Sequence, residues 1–326
     1  MKAIVLHEHG GPEVLRLDEA PDPEPGPEEV LVDVRATAVN RADLLQRLGL
    51  YPGPPAPLEI PGLEFAGTVA AAGPRVTRWS VGDEVMGVVS GGAYAERLVT
   101  HERAALPVPA AVGLADAAAI PEVFLTAWDA LVVQGGLTAG RVALVHAGAS
   151  GVGTAAIQVA GALRARVIVT CSAGKQAACE ALGAERAVDY AAEDFAAVAK
   201  EVTGGRGVDV VLDVVGGDYL AGNVEALAVE GRIVQVGVMG GGMATFPLGA
   251  LLPKRASLVG TVLRGRPIEQ KIALTQRFER EVLPLFEAGT IRPVIDARLP
   301  LAEAAEAHRR LEANATVGKV LLDVAS

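Results

Sequence analysis

The spacing of hydrophobic positions changes near residue 115 of this chain. In the first hundred residues, short runs such as residues 30–39 alternate apolar and polar side chains, and glycine or proline separates them. This period of two is typical of half-buried antiparallel strands. Later, short continuous apolar runs alternate with longer segments of helical spacing, which is typical of βα units around a parallel sheet. The pattern therefore predicts a small antiparallel β-barrel followed by a parallel sheet covered on both faces.

The two parts predict different sets of elements. In the first we expect two strands within residues 1–20, a proline-rich connector at 21–27, a strand at 30–39, a helix at 40–48 and short strands from 62 to about 100. In the second we expect helical residues at 116–131 with an interruption at Pro121, strands at 142–145, 166–170, 187–190, 208–213, 231–236 and 257–263, and helices at 151–163, 175–182, 194–202, 219–229 and 268–288. The tail from residue 291, with a helix at 301–312 and a strand at 317–324, is expected to return to the first part.

A glycine-rich turn at residues 148–153 joins an apolar strand to an alanine-rich helix. Glycines in such a turn let the chain reverse, let the backbone approach a pyrophosphate, and let the helix pack closely on the strand. The anion then binds to N–H groups at the positive end of the helix. Ser150 replaces the second glycine of the usual fingerprint, and its hydroxyl can donate to a phosphate oxygen. The turn predicts a dinucleotide site, with an ordinary strand-to-helix turn as the alternative.

The end of the second strand of that unit discriminates between cofactors. An NAD-selective site usually places Asp or Glu there to bind the ribose 2′-hydroxyl. Residues 170–175 are Thr-Cys-Ser-Ala-Gly-Lys and contain no acid. Ser172 and Lys175 can instead hold a 2′-phosphate, with a charge-assisted hydrogen bond from the lysine. The sequence therefore favours NADPH, although Lys175 could also simply begin a surface helix.

Length, charge and cysteine content narrow the class of protein. A chain of 326 residues favours two domains. A net charge of −10 argues against broad binding to nucleic acid or to an anionic membrane, and no apolar run is long enough to span a bilayer. The N-terminus predicts a strand and not a signal peptide, and two cysteines suit a reducing compartment. We therefore expect a cytoplasmic protein.

The histidines and cysteines do not predict a metal site. The five histidines show no paired spacing with cysteine, whereas catalytic zinc needs three protein ligands and structural zinc needs four. His146 ends the first strand of the dinucleotide unit, where packing or hydrogen bonding suits it better than catalysis. We expect a reaction without metal.

Three polar residues of the first part are candidates for catalysis. Hydride transfer to a carbonyl needs position, exclusion of water and a donor to the developing oxyanion. Asn40, Asp43 and Tyr51 lie in the one helix-and-loop region of a strand-rich segment. Each has a structural alternative: Asn40 could cap a helix, Asp43 could be solvated in its first turn, and Tyr51 could pack on prolines.

Several short motifs in order give the chain a family resemblance. They are Ala-Val-Asn-Arg-Ala-Asp-Leu at 38–44, Pro-Gly-Leu-Glu at 61–64, Ala-Ala-Ile-Pro at 118–121 with Leu-Thr-Ala at 125–127, residues 146–153, Asp213 with Gly216 and Gly217, Gly-Val-Met-Gly-Gly-Gly at 237–242, and Glu-Ala-Asn at 312–314 before Gly318 and Lys319. With these motifs the chain resembles, over its full length, the zinc-free, zeta-crystallin-like NADPH:quinone oxidoreductases of the medium-chain dehydrogenase/reductase superfamily. Gly62, Leu63 and Glu64 stand where zinc-dependent relatives have Gly-His-Glu, which agrees with a metal-free reaction.

The resemblance implies an α/β fold of two domains. A GroES-like β-barrel catalytic domain would comprise residues 1–120 and 265–326, and a Rossmann parallel-sheet cofactor domain residues 121–264. The family usually forms homodimers, in which residues 257–263 would extend a sheet across the interface.

The resemblance also implies a role for each matching residue. Asn40 and Thr126 would contact the nicotinamide side of NADPH, and Tyr51 would border the quinone pocket. The remaining cofactor contacts would come from Gly148, Ser150, Gly151 and Val152 at the pyrophosphate, Ser172, Lys175 and Tyr190 at the adenine-side ribose and its 2′-phosphate, Gly237, Met239 and Leu263 at the ribose and nicotinamide wall, and Asn314 and Lys319 from the tail.

Three hypotheses follow for function. The first is metal-free hydride transfer from NADPH to a quinone or another activated carbonyl. The second is reduction of an enone or 2-enoyl substrate on the same scaffold, with Tyr51 as proton donor. The third is an NADPH-binding protein without catalysis, for which the acidic charge disfavours RNA as a partner.

Overall fold

The computed structural model of the chain describes residues 1–51, 53 and 56–324. Its internal contacts divide it into two units, one formed by Met1–Leu125 with Arg264–Ser326 and the other by Thr126–Leu263. We call the first the GroES-like unit and the second the Rossmann unit. The boundaries proposed from the sequence stand at residues 120/121 and 264/265.

The first part of the GroES-like unit is built mainly from antiparallel strands. Its elements are β1 (Lys2–Val5), β2 (Arg16–Glu19), β3 (Glu29–Val39), α1 (Arg41–Arg47), β4 (Glu64–Ala72), β5 (Glu84–Val88), β6 (Arg97–His101), β7 (Ala105–Pro107), α2 (Leu114–Ala117) and α3 (Pro121–Trp128). Strand β3 pairs with both β4 and β6. Its alternate residues Val30, Val32 and Val34 are buried in one hydrophobic cluster with Phe65, as the period of two predicts.

The Rossmann unit alternates strand and helix. After a π-helical segment at Asp129–Gln134 come β8 (Val142–Val145), α4 (Gly151–Ala162), β9 (Arg166–Cys171), α5 (Gln176–Ala181), β10 (Arg186–Asp189), α6 (Phe195–Val202), β11 (Val208–Asp213), α7 (Tyr219–Ala226), β12 (Leu227–Gln235) and β13 (Ser257–Gly260). The sheet has the order β10-β9-β8-β11-β12-β13, and all its pairs are parallel. The strand order reverses beside β8, which is where ligands of such sheets bind.

The tail belongs to the GroES-like unit. It comprises α8 (Ile268–Glu281), α9 (Leu283–Glu287), β14 (Ile295–Pro300), α10 (Ala304–Glu312) and β15 (Lys319–Asp323). Strand β15 runs antiparallel to β3 and pairs Val320 with Val39. It also runs parallel to β14. The tail therefore completes the sheet that the first hundred residues begin.

Most of the predicted helices differ from the observed bounds by a few residues, and three cases are instructive. The helix expected at 219–229 ends at Ala226, because Leu227 already begins β12 against β11. The helix expected at 268–288 breaks at Val282, since Pro284 lacks the N–H that would continue it. The helical stretch expected at 116–131 is interrupted before Pro121, as the sequence predicts, and α3 passes at Asp129 into the π-helical segment. The GroES-like unit and the Rossmann unit together agree with the α/β class predicted from the sequence.

Candidate functional site

The turn between β8 and α4 has the geometry of an anion site. Ala147 has a positive φ of 56°, and Ser150 caps α4 by accepting a hydrogen bond from the Gly153 N–H at 3.0 Å. The first turn of a helix also has N–H groups without an intrahelical partner. These groups lie at the carboxyl end of β8, beside the point where the strand order reverses.

Glycines 148 and 153 leave no room for a side chain. A Cβ atom on Gly148 would lie 2.5 Å from the Cβ of Val169, and one on Gly153 would lie 2.3 Å from the carbonyl oxygen of Ala147. The turn therefore keeps its backbone bare and closely packed on β9. This cradle fits a pyrophosphate, with Gly151 and Val152 in the first turn of α4.

A buried hydrogen-bond chain ties the strand ends below the turn. His146 is fully buried, its Nδ1 lies 3.0 Å from Thr170 Oγ1, and its Nε2 lies 2.6 Å from Asn223 Oδ1. Asn223 Nδ2 donates to Asp213 Oδ2 at 2.8 Å, and Asp213 Oδ1 accepts from the Val215 and Gly216 N–H groups. Burial lowers the pKa of His146. The histidine therefore joins β8, β9 and α7, in agreement with the hydrogen-bonding role expected for it.

The predicted 2′-phosphate residues lie at adjacent strand ends. Ser172 precedes the 3₁₀ turn Ala173–Lys175, directly after β9. Strand β10 pairs with β9, and the Tyr190 N–H donates to the Cys171 carbonyl at 3.2 Å. The Tyr190 side chain is 53% exposed. Ser172, Lys175 and Tyr190 thus belong to one corner of the Rossmann unit, at strand ends that pair directly.

The other predicted contacts of the Rossmann unit lie after β11 and β12 or at its limits. The Gly237 N–H donates to Asp213 and the Met239 N–H to Val214, at 3.4 and 3.2 Å. The loop of Gly237 and Met239 therefore packs on the loop that follows β11. Thr126 and Leu263 are buried and lie at the first and last positions of the unit.

In the GroES-like unit, Asn40 and Lys319 share a buried polar network with Glu64. Lys319 Nζ donates to Asn40 Oδ1 at 2.6 Å and to the Val39 carbonyl at 2.9 Å, and it lies 2.8 Å from Glu64 Oε1. Asn40 Nδ2 donates to Glu64 Oε1 at 2.8 Å and to the Ala38 carbonyl at 3.2 Å. Both amide protons of Asn40 are therefore engaged by protein acceptors, which fixes the amide in one orientation.

Asp43 lies beneath this network and has no exposed surface. Its carboxylate accepts hydrogen bonds from the Asn40 N–H at 2.7 Å, the Tyr94 hydroxyl at 3.2 Å and the Gly62 N–H at 3.3 Å. Burial outweighs these donors and raises the pKa of Asp43 to about 6. Complete burial does not suit the catalytic role predicted for Asp43, because a substrate cannot touch it. The geometry suits a positioning role, in which Asp43 holds the first turn of α1.

Tyr51 is fixed by Arg264. The guanidinium carbon lies 4.9 Å from the centre of the Tyr51 ring, and Arg264 Nη1 donates to the Tyr51 carbonyl at 3.0 Å. Arg264 also donates to the Ser90 carbonyl and to Gln46 Oε1, both at 2.7 Å. Burial raises the pKa of the Tyr51 phenol. The neighbouring prolines 52, 54 and 55, on which Tyr51 could pack according to the sequence, lie outside the described residues.

Asn314 is apart from the buried network. It is exposed, has a positive φ of 50°, and its Oδ1 accepts a hydrogen bond from Arg41 Nη2 at 2.6 Å. Lys319, the other predicted contact of the tail, lies instead at the centre of the network.

The described side chains offer neither a metal site nor a membrane-spanning helix, within the ranges given next. Within residues 1–51, 53 and 56–324, no group of three or more His, Cys, Asp or Glu side chains could hold a metal ion. Over that same part of the chain, every helix is too short or too polar to cross a bilayer.

A GroES-like unit and a Rossmann unit, with the tail of the chain in the first, define a medium-chain dehydrogenase/reductase. The comparisons with known families agree, since residues 26–110 match the alcohol dehydrogenase GroES-like domain and residues 182–322 match the zinc-binding dehydrogenase family.

Individual relatives narrow the class further. A quinone oxidoreductase of Pseudomonas aeruginosa is 37% identical over 323 residues, which cover 98% of this chain and 99% of that protein. The structure of mycobacterial Rv1454c complexed with NADPH has a TM-score of 0.90 and 34% identity, covering 99% of this chain and 100% of the other. The quinone oxidoreductase of Pseudomonas syringae has a TM-score of 0.88 and 34% identity, covering 99% of both chains. The chain therefore belongs to the quinone oxidoreductase family and is an oxidoreductase enzyme.

Sequence reasoning missed three residues that organise the site. Glu64 is the residue that the chain shares with the Gly-His-Glu motif of zinc-dependent relatives, and a Glu at the start of an apolar strand is itself a signal of a buried pair. Asn223 lies in the middle of a helix, where nothing local indicates its bond to His146. Arg264 follows the last strand of the other unit, and its contacts with Tyr51 span more than two hundred residues.

Proposed function

We propose that this enzyme is an NADPH-dependent quinone reductase that needs no metal. The observation that carries the proposal is the pairing of a bare pyrophosphate cradle with an acid-free strand end. Residues 170–175 offer a hydroxyl and a lysine where an NAD-selective site has a carboxylate. The quinone as substrate is supported by the names of the relatives and by Tyr51, an aromatic ring that Arg264 holds in place.

Each unit would contribute differently to the reaction. NADPH, when bound, supplies a hydride. Gly148, Ser150, Gly151 and Val152 would hold the pyrophosphate, and Ser172, Lys175 and Tyr190 the 2′-phosphate. Asn40, fixed by Lys319 and Glu64, would present a rigid polar edge to the nicotinamide side. Thr126, Gly237, Met239, Leu263 and Asn314 would complete the cofactor contacts.

The proposal is tested by comparing NADPH with NADH as electron donor over a panel of quinones and enones, with a chelator present. We expect turnover with quinones, preference for NADPH, and no effect of the chelator. Loss of activity on chelation would contradict the metal-free reaction, and absence of NADPH oxidation with every quinone would contradict the function.

Reduction of an enone is the second candidate. The observation in its favour is the half-buried Tyr51 phenol, whose raised pKa keeps its proton. Tyr51→Phe separates the two, because a proton donor to the enone carbon skeleton would be lost while quinone reduction would change little. A large loss on enones alone would favour this candidate.

We also propose a homodimer joined through β13. This strand lies at the edge of the six-stranded sheet, and Leu258 on it is 47% exposed. An edge strand with apolar side chains is a ready partner for a second copy. Light scattering after size exclusion chromatography tests the assembly. The cytoplasmic location stays a prediction from the sequence.

A further inference from the structure

Glu122 is a carboxyl group that the proposed hydride transfer leaves without a role. It lies in the first turn of α3 and is half-buried. Its backbone N–H donates to Glu64 Oε2 at 2.8 Å. No side chain in the described part of the protein donates a hydrogen bond to the Glu122 carboxyl itself. The Glu122 backbone therefore binds the Asn40–Glu64–Lys319 network, while its carboxyl group makes no hydrogen bond within that network.

Four charged groups from four other elements act electrostatically on Glu122. Glu64 of β4 and Asp43 of α1 repel its negative charge, whereas Lys319 of β15 and Lys271 of α8 attract it. Desolvation is the largest influence, and with the repulsion from Glu64 it raises the pKa of Glu122 to about 8. Glu64 is already satisfied by Lys319, Asn40 and the Glu122 N–H. Of two neighbouring carboxyl groups, one is thus paired and the other keeps a proton at neutral pH.

Glu122 is connected to both groups of residues in the proposed site. Its backbone N–H binds Glu64, which also binds Asn40 and Lys319, both proposed at the nicotinamide. Its charge acts on Tyr51, proposed at the quinone pocket, and adds to the burial that raises the pKa of the Tyr51 phenol. Lys271 next to it is held by a hydrogen bond to Ser90 Oγ at 2.5 Å, and Ser90 in turn contacts the Arg264 that fixes Tyr51.

Reduction of a quinone requires a proton as well as a hydride. The hydride brings two electrons and converts the quinone to the hydroquinone monoanion. One proton then completes the hydroquinone. We propose that the Glu122 carboxyl group donates this proton to the hydroquinone oxygen, a step that rests on the proposed quinone reduction. The carboxyl O–H bond breaks, the hydroquinone O–H bond forms, and the resulting carboxylate takes a new proton from solvent. Transfer to a phenol-like oxygen, with a pKa of roughly 10, is downhill.

The test is Glu122→Gln, which keeps the shape of the side chain and removes the acid. Single-turnover reduction is measured across pH with two quinones of similar size, dimethylbenzoquinone and dichlorobenzoquinone. The chlorinated hydroquinone anion is less basic and needs the acid less. We expect the single-turnover rate of the variant to fall roughly 10- to 100-fold with the dimethyl compound at neutral pH. With the dichloro compound the rate should fall less than about threefold. In the wild type the rate of quinone reduction should decline above about pH 8, and this decline should be absent from Glu122→Gln.

Two variants and one spectrum serve as controls. Glu269→Gln changes an exposed carboxylate of α8 that pairs with Arg103, and it should behave as wild type. Glu122→Asp keeps an acid and should retain the decline at high pH. In the protein without cofactor, the infrared C=O band of a protonated carboxyl should titrate near pH 8 and be missing from Glu122→Gln.

The possible results separate the two proposals. The role of Glu122 would be overturned if Glu122→Gln slowed the reduction of both quinones equally, or if its rate still declined at high pH. Quinone reduction as the proposed function would be unaffected by either result. A carboxyl band unchanged by the substitution would overturn it as well. If the wild-type protein reduced neither quinone, the proposed function and the role of Glu122 would both be wrong.

Discussion

Lys319 Nζ lies 2.8 Å from Glu64 Oε1, and the two side chains are 4% and 0% exposed. They belong to β15 and β4, which both flank β3 in the sheet. Asn40 bridges them, because its amide donates to Glu64 and accepts from Lys319. A buried ion pair of this kind stabilises little in itself, but the loss of one partner leaves an uncompensated charge.

Lys319→Met should therefore destabilise the GroES-like unit by about 3–5 kcal/mol. The measurement is denaturant unfolding followed by the fluorescence of Trp79, which lies in this unit. Arg277→Ala, which removes an exposed pair with Glu281, is the control and should cost less than about 1 kcal/mol. Similar small effects of both changes would show that the buried pair carries no stability.

Asp43 should make stability depend on pH in an unusual direction. Its folded pKa of about 6 lies above the ordinary 3.8, so between these values the folded state binds more protons than the unfolded state. Stability from this group is therefore fully present below about pH 4 and is lost as pH rises to about 6, by roughly 3 kcal/mol. Asp43→Asn should remove the dependence.

Urea unfolding of the wild type and of Asp43→Asn at several pH values checks this. The difference in unfolding free energy between the two proteins should fall as pH rises through the window and stay level above it. A difference that grows with pH would mean that the hydrogen bonds from Asn40 and Tyr94 outweigh burial.

Lys175 should determine the preference for NADPH. Loss of a charge-assisted hydrogen bond costs about 1.5–3 kcal/mol, so Lys175→Ala should weaken NADPH binding by roughly 10- to 100-fold and leave NADH unchanged. Calorimetric titration with both nucleotides measures this. Lys200→Ala, on an exposed lysine of the same unit that pairs with Glu225, is the control. Equal weakening of NADPH and NADH by Lys175→Ala would place the lysine away from the 2′-phosphate.

Gly153→Ala should abolish cofactor binding. The new Cβ would lie 2.3 Å from the Ala147 carbonyl oxygen, whereas a Cβ on Gly161 of the same helix meets nothing within 4 Å. Gly161→Ala should therefore bind normally and gain up to about 1 kcal/mol of stability. Quenching of protein fluorescence by NADPH measures the first effect and thermal unfolding the second. Normal NADPH binding by Gly153→Ala would show that the close approach is not needed.

Arg264→Ala should weaken the interaction with the quinone substrate and leave the binding of the cofactor unchanged. Without the guanidinium, the Tyr51 ring and carbonyl lose their fixed partner, so KM for quinones should rise several-fold while the Kd of NADPH is unchanged. Steady-state kinetics and the NADPH titration together test this. A change in NADPH affinity would indicate that Arg264 also serves the cofactor.

Local patterns predicted what depends on neighbouring residues. The alternation of β3 and the glycine turn before α4 are both set within a few positions, and the structure has both of them. The break at Val282 follows from Pro284, a local signal that helical spacing concealed. The contacts of Asn40 could not be predicted this way, because its partners Glu64 and Lys319 come from distant strands.

The return of the tail also constrains the order in which the protein can fold. Strand β3 is synthesised long before its neighbour β15. Residues 126–263 can thus fold before Lys319 is available to pair with Glu64, so the first unit stays incomplete until β15 has been made. Chains arrested before β15 would expose a hydrogen-bonding edge and a carboxylate without its cation, features that quality-control proteases and chaperones would meet first.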